Sequence, residues 1–137
     1  MTEAAFRIKY SELIEYYQFI EMRLRFLCSD LMADEERGWF ERLNDYELDT
    51  FGMLMHKLQE LQTEKHITLL TPEDITALNA VRGTRNYWVH QCFGGLDPIT
   101  FKNGNLNRSV YCQKVLSDLN DAIEWEAKLT EKAYTFK

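Results

Sequence analysis

The chain has 137 residues, of which 45% are hydrophobic and 28% charged, enough for one domain with a buried core and too few for two. Only 2 prolines and 6 glycines interrupt it, which excludes collagen-like, low-complexity and turn-rich β-sandwich structures and favours long helices. The net charge of −6 argues against non-specific binding of nucleic acid, which depends on neutralising phosphates. We therefore expect a single domain over residues 1–137.

The sequence also indicates where in the cell the protein is located and whether it binds a metal or a cofactor. No stretch approaches the roughly 20 apolar residues that a membrane helix needs, and no secretory signal follows Met1. The three cysteines, Cys28, Cys92 and Cys112, are odd in number and lack the C-x-x-C spacing of metal sites. These features predict a cytoplasmic protein with no membrane association, no metal and no cofactor.

The first third of the chain predicts one long helix and a connection. Hydrophobic residues recur there at alternating steps of three and four over about six turns. Acidic residues 34–36 and Gly38 interrupt this pattern, and we expect the following Trp39 and Phe40 to be buried against the domain. The hydrophobic stripe consists of Tyr10, Leu13, Tyr17, Ile20, Leu24, Leu27 and Leu31.

Two further helix starts follow along the chain. Asn44 with Glu47 three residues later resembles a capping box and predicts a second helix that ends near Gln62. The segment Thr71-Pro72 combines a capping hydroxyl with a proline at the first helical position, and predicts a third helix. We expect that helix to run through Trp88 and Cys92 and to stop at Gly94-Gly95.

The last third predicts a loop and a final long helix. Residues 96–106 contain proline, glycine and several asparagines, and no strand is predicted there. Helical spacing resumes at Cys112 and continues through Val115, Leu119, Ala122, Leu129, Ala133 and Phe136. The whole pattern predicts an all-α, up-and-down bundle of four long helices, with room for a short extra helix.

Charge is distributed unevenly along the chain. Residues 30–49 carry eight acids against two arginines, whereas residues 82–114 carry five cations against Asp97 alone. The second region is compatible with a phosphate-bearing partner, although a solvated basic surface is the commoner explanation of five scattered cations.

The candidate functional residues lie between positions 82 and 90. At about 100° per residue, Arg85 falls within the apolar stripe of its helix, and a buried guanidinium must meet an acid, carbonyls or a bound anion. Glu126, which interrupts the stripe of the last helix, and Glu21, which borders that of the first, are candidate partners.

A second row of polar side chains lies beside Arg85. Arg82, Asn86 and His90 follow each other at steps of four and share one helix face. His90 falls in the last helical turn, where the negative end of the helix dipole favours the protonated imidazole that a general acid needs. The purely structural alternative is an Arg85 ion pair with one of the two glutamates and a His90 that caps the helix.

The segment Arg85-Asn86-x-x-x-His90 resembles the R-x4–6-H motif of the HEPN superfamily, and the resemblance covers essentially the whole chain. It implies an all-α bundle in which this motif closes a long helix. Many HEPN proteins are metal-independent endoribonucleases of toxins, antiviral defence and RNA processing, and they commonly form dimers with a composite cleft. The resemblance therefore implies RNA as substrate and a homodimer.

The resemblance also implies residue roles. His90 would transfer protons between the attacking 2′-hydroxyl and the leaving 5′-oxygen, and Arg85 would hold the scissile phosphate. Asn86 would orient His90 or the phosphate, and Arg82 is a weaker candidate for a further phosphate contact. Because Arg85 and His90 lie about 140° apart on one helix, a dimer could combine them across a two-fold axis.

The sequence departs from one branch of that family. HEPN toxins paired with a nucleotidyltransferase antitoxin often carry a modified tyrosine two residues after the histidine, where this chain has Cys92. That departure argues against control by such a partner and leaves another antitoxin open. Two other functions also stay open: a non-catalytic HEPN-type module that binds nucleotide, RNA or protein, and an unrelated helical bundle that acts as a regulator or assembly subunit.

Overall fold

The computed structural model describes residues 1–136, with side chains as far as residue 135. This part of the chain forms four long helices and one short one, which confirms the predicted all-α bundle. A two-stranded hairpin joins the last two helices, and no described helix has the length and apolarity to cross a membrane. The elements are α1 (Glu3–Met32), α2 (Trp39–Asp45), α3 (Phe51–Lys65), α4 (Pro72–His90), β1 (Phe101–Lys102), β2 (Asn105–Leu106) and α5 (Ser109–Phe136).

Helix α1 lies at the centre of the bundle and contacts each of the other four helices. It is 30 residues long because its hydrophobic stripe continues without a break and Thr2 caps its first turn by accepting a hydrogen bond from the Ala5 amide. The predicted stripe is buried from Leu13 to Leu31, with Tyr10 half-buried, and Phe6 extends it by one more turn. Helix α1 therefore contributes to the core along most of its length.

Paired contacts give the helix directions. The strand β2 before α5 bridges to Thr2, and Arg23 pairs with Glu126 further along, so α1 and α5 run parallel. Trp88 contacts Asp118 while Asp74 contacts Lys132, so α4 runs antiparallel to α5. Short α2 packs against α1. Gly52 at the start of α3 lies against Arg82, late in α4, while Gln62 near its end bonds to Leu70 just before α4, so α3 runs antiparallel to α4.

The start of α3 differs from the prediction. Thr50 caps this helix by accepting a hydrogen bond from the Met53 amide, whereas Asn44 lies within α2. The Asn44–Glu47 pattern satisfies the local capping rule, but burial of Tyr46 and Asp49 holds residues 46–50 in turns instead. Trp39 is half-buried and donates to Asp30, as the predicted connection requires, whereas Phe40 is 78% exposed.

The end of α4 and the following segment also differ. Helix α4 begins at the predicted Thr71-Pro72 start, with a complete capping box to Asp74, but it ends at His90 rather than Gly94. Burial of Cys92 and Ile99 turns the chain across the end of the bundle before the glycines are reached. Asn103 and Gly104 adopt positive φ angles of 51° and 74°, which form the tight turn of a hairpin within the predicted loop.

Helix α5 follows its predicted spacing. Val115, Leu119, Ala122 and Leu129 are buried against the rest of the bundle. Phe136, which the pattern assigns to the same stripe, has a side chain outside the described residues.

Candidate functional site

The last turns of α4 are fixed by the buried Trp88. Its indole Nε1 donates to Asp118 Oδ2 at 2.8 Å, and its backbone carbonyl accepts from the Tyr10 hydroxyl at 3.0 Å. These bonds join α4 to α5 and to α1, and they compensate polar groups that would be costly to bury alone. The residues at positions 85–90 are consequently held at defined positions on the helix.

Arg85 forms an ion pair with Glu21 of α1. Its Nη2 lies 3.3 Å from Glu21 Oε1, and its Nη1 donates to Asn86 Oδ1 at 3.2 Å. The Arg85 side chain is 27% exposed and that of Glu21 is 14% exposed. Arg85 therefore lies at the border of the apolar stripe, with part of its guanidinium open to solvent.

Glu21 has a second cationic neighbour. Arg25 lies 3.6 Å from it on the same helix and also donates to the backbone carbonyls of Tyr46 and Asp49. One carboxylate thus faces two guanidinium groups, Arg25 and Arg85. The Glu21 charge leaves this cluster with one net positive charge.

Glu126, the other acid predicted to face Arg85, has a different partner. It pairs with Arg23 at 3.1 Å and accepts a hydrogen bond from the Thr130 hydroxyl. Residues 21 and 23 lie about 200° apart around α1, so α5 meets the Arg23 side of that helix while Arg85 meets the Glu21 side. Helix geometry therefore separates the two acids.

Arg82 lies against α3. A Cβ added to Gly52 would come within 2.7 Å of Arg82 Nη1, so the missing side chain of Gly52 leaves room for the guanidinium. Arg82 makes no ion pair with any residue described. It is the unpaired cation nearest to Arg85 along the helix.

Asn86 and His90 face solvent. Both side chains are exposed, and the His90 imidazole makes no hydrogen bond or ion pair within the part of the chain that the structure describes. One chain therefore brings together Arg85, Asn86 and Glu21, with His90 on the open side of the same helix.

The basic region 82–114 is largely neutralised in the folded chain. Glu21 pairs with Arg85, Asp97 with Arg108, and Asp118 with Lys114 at 2.9 Å. Two cations of this region have no ion pair among residues 1–135. They are Arg82 and Lys102.

The structure also shows groups that the sequence argument did not single out. Tyr17 belongs to the buried stripe of α1, yet it lies beside Asp118 and Asp121 of α5 in a cleft. A tyrosine at core spacing gives no sequence signal that it shares a cleft with carboxylates about a hundred positions away. No group of three or more histidine, cysteine or acidic side chains suited to a metal ion occurs among the described residues.

Comparisons with protein families, with curated proteins and with solved structures found no match to this chain.

Proposed function

We propose that this chain is a metal-independent endoribonuclease of the HEPN type, acting as a homodimer on RNA. The main support is the arrangement at the end of α4, where Arg85 bonds to Asn86 and His90 is exposed in the same last turns of a long helix. A fixed cation, an amide and a proton carrier are the groups that phosphodiester cleavage needs.

The proposed reaction is an internal transfer at phosphorus. The 2′-hydroxyl oxygen of RNA bonds to the phosphorus as the bond from phosphorus to the 5′-oxygen breaks. The proton of the 2′-hydroxyl is removed, and a proton is delivered to the leaving 5′-oxygen, with His90 carrying protons. Arg85 balances the charge that develops on the phosphate, Arg82 holds a neighbouring phosphate, and Asn86 positions Arg85.

The placement of these groups supports the homodimer in this proposal. Arg85 faces α1 and His90 faces solvent, so their side chains diverge within one chain. The exposed face of α4 that carries Asn86 and His90 also contains Gly83, and a Cβ there would meet nothing within 4 Å. A second copy can approach such a face closely and bring its own Arg85 towards the first chain's His90.

The direct test is cleavage of mixed cellular RNA in EDTA by the wild type and by His90→Ala. We expect the wild type to release fragments with 5′-hydroxyl ends and His90→Ala to lose at least about a hundredfold in rate, the usual contribution of a general acid or base. His56→Ala is the matched control, because His56 is an exposed histidine of α3 paired with Glu60. Equal inactivity of folded wild type and His90→Ala would reject the proposal.

A mixture of Arg85→Ala and His90→Ala chains tests the composite cleft. Half of the dimers in an equal mixture are heterodimers, and each keeps one intact site of two, so about a quarter of wild-type activity should return. A site contained within one chain predicts no recovery. Light scattering of the same samples gives the oligomeric state.

Within this proposal, the chain is a cytoplasmic toxin or phage-defence component controlled by an antitoxin. Cys92 occupies the position of the tyrosine that nucleotidyltransferase antitoxins modify in the similar toxins, so the proposed partner acts in another way. We expect expression of the wild type to slow growth of the host cell and His90→Ala to relieve that effect at an equal protein level.

One observation favours a second function, a non-catalytic HEPN-type module. Because Glu21 already compensates Arg85, the guanidinium has an internal structural role. Such a module would express without toxicity and bind a nucleotide, RNA or a protein partner without cleaving RNA. Retained RNA binding by a wild type that leaves the RNA intact in the cleavage assay would support this second function.

A further inference from the structure

A second site, a cleft, lies between α4 and α5, one helical turn from the Arg85–Glu21 pair, because it is lined by Val81 and Tyr17, four residues before Arg85 and Glu21. The cleft has a volume of about 290 Å³, close to the lower limit for small-ligand sites. Helix α4 contributes a wall of small or apolar groups, namely Ala77, Ala80, Val81 and Thr84. The polar groups come from the other two helices.

Tyr17 of α1 contributes a buried hydroxyl to this cleft. The residue is only 2% exposed, and its phenolic oxygen has no hydrogen-bond partner within the described part of the chain. Burial raises the pKa of Tyr17, and the negative charges of Asp118 and Asp121 raise it further, so the hydroxyl stays protonated. A buried hydroxyl without a partner costs free energy, and a ligand that bonds to it would remove that cost.

Two carboxylates of α5 line the same cleft. Asp118 uses Oδ2 for both Trp88 Nε1 and Lys114 Nζ, and no described residue bonds to its Oδ1. Asp121 is exposed and makes no ion pair with any described residue. Lys114 therefore compensates only one of the two negative charges.

Trp125 completes the cleft as an apolar wall. Lys128 Nζ already lies 4.7 Å from the centroid of its ring, so we assign the indole no role in binding a second cation. The remaining chemistry is three oxygen acceptors beside an apolar wall, with excess negative charge.

We propose that this cleft binds the primary ammonium group of an alkyl amine, either a free amine or a lysine side chain of another protein. An ammonium group has three N–H donors, which match the Tyr17 oxygen, Asp118 Oδ1 and one oxygen of Asp121. The alkyl chain would lie along Ala77 and Ala80. The proposal does not depend on ribonuclease activity.

The test is a titration of the full chain with a ligand at low ionic strength. Binding is measured from the NMR chemical shifts of the backbone amides. Putrescine represents the free amine, Nα-acetyl-lysine methylamide represents a lysine side chain, and 1,4-butanediol is the uncharged control. We expect the two amines to change the amide chemical shifts of residues 77–84 and 117–125, and we expect the diol to leave those shifts unchanged. The amine that binds more tightly identifies the source of the ammonium group.

Two substitutions test the assigned acceptors. Tyr17→Phe removes only the hydroxyl and should weaken binding about tenfold, and Asp121→Asn should weaken it at least as much. Glu124→Gln is the matched control, since Glu124 is an exposed acid of α5 outside the cleft, and it should bind like the wild type.

Several outcomes would overturn this inference. The first is that neither amine changes the chemical shifts at concentrations up to about 10 mM. The second is that Mg²⁺ causes the same changes as the amines, and the third is that Tyr17→Phe binds the amines as tightly as the wild type. Unfolding in urea separates binding from folding, because Tyr17→Phe should be at least as stable as the wild type when no ligand is present. A less stable Tyr17→Phe would mean that the hydroxyl already has a partner, which would also overturn it.

Discussion

Individual charges in this chain are balanced by specific neighbours, and Glu21 illustrates this best. Its carboxylate lies within 3.6 Å of two guanidinium groups, whereas Glu126 pairs with one. Removing a carboxylate that compensates two partly buried cations leaves both without a full counter-charge. The consequence for stability should therefore differ between these two glutamates.

We expect Glu21→Gln to lower the free energy of unfolding by about 1–2 kcal/mol, between the values typical of exposed and of buried ion pairs. Glu126→Gln, which removes one pair with Arg23 at 3.1 Å, should cost less. Urea unfolding of both variants measures the difference. An equal or larger loss in Glu126→Gln would contradict the assigned role of Glu21.

The three cysteines should differ in reactivity. Burial raises the pKa of Cys28 to about 12 and also raises the pKa of Cys92, so both thiols remain protonated at pH 8, where the reactive thiolate is scarce. Cys112 is half-buried. We expect iodoacetamide to modify Cys112 first in the native protein and all three cysteines in urea, as measured by mass spectrometry. Early modification of Cys28 would contradict this order.

At the scale of elements, the connection between α3 and α4 depends on Gln62. Its Oε1 accepts from the backbone amides of Leu69 and Leu70 at 3.0 and 2.6 Å, and its Nε2 donates to the Leu70 carbonyl at 3.2 Å. Leu69 and Leu70 are buried, so water cannot easily replace these bonds. One side chain thus satisfies three backbone groups just before the start of α4.

We expect Gln62→Ala to cost about 2–3 kcal/mol, because two buried amides lose their acceptor. Gln62→Glu should cost less, since it keeps the acceptor oxygen and loses only the donor. Gln59→Ala is the control on the same helix, because Gln59 is exposed and bonds only within α3. Thermal unfolding of the three variants orders them, and equal losses in Gln62→Ala and Gln59→Ala would contradict the proposed role.

Some helix boundaries and turns are determined by residues close in sequence, and others by packing against distant residues. The α1 stripe and the Thr71-Pro72 start were predictable because spacing and capping act within a few residues. The start of α3 was not, because Asn44 satisfies the same capping rule and only the burial of Tyr46 and Asp49 excludes it. The Asn103-Gly104 hairpin did carry a local signal, which the loop prediction overlooked.

The candidate site was also predictable from the sequence only in part. Helical spacing placed Arg85 in the apolar stripe, where it needed an acid, carbonyls or an anion, and it named Glu21 and Glu126 as candidate acids. Choosing Glu21 required knowing which side of α1 faces α4. The cleft of Tyr17, Asp118 and Asp121 lay beyond prediction because it joins helices that are distant in sequence.

For the whole molecule, ion pairing reduces the charge available to RNA. Only Arg82 and Lys102 of the basic region lack an ion pair among residues 1–135. RNA binding by the inactive His90→Ala variant should therefore depend only moderately on salt, with a log–log slope of about 2.1 per chain, or three phosphates at about 0.7 each. These would be held by Arg82, by Lys102 and by Arg85, whose cluster with Arg25 and Glu21 keeps one net positive charge. Arg82→Ala should lower that slope by about a third, and Arg108→Ala should leave it unchanged. A slope near that of five phosphates, about 3.5, would contradict the pairing.

The central position of α1 has a consequence during synthesis. The stripe of α1 packs along α5, and the backbone of residues 1–3 bonds to the hairpin at residues 104–106. Helix α1 leaves the ribosome before residues 109–136, so its apolar surface stays exposed until α5 is available to close the core. The nascent chain should remain protease-sensitive until α5 has emerged from the exit tunnel, and clefts formed by α4 should not exist before then.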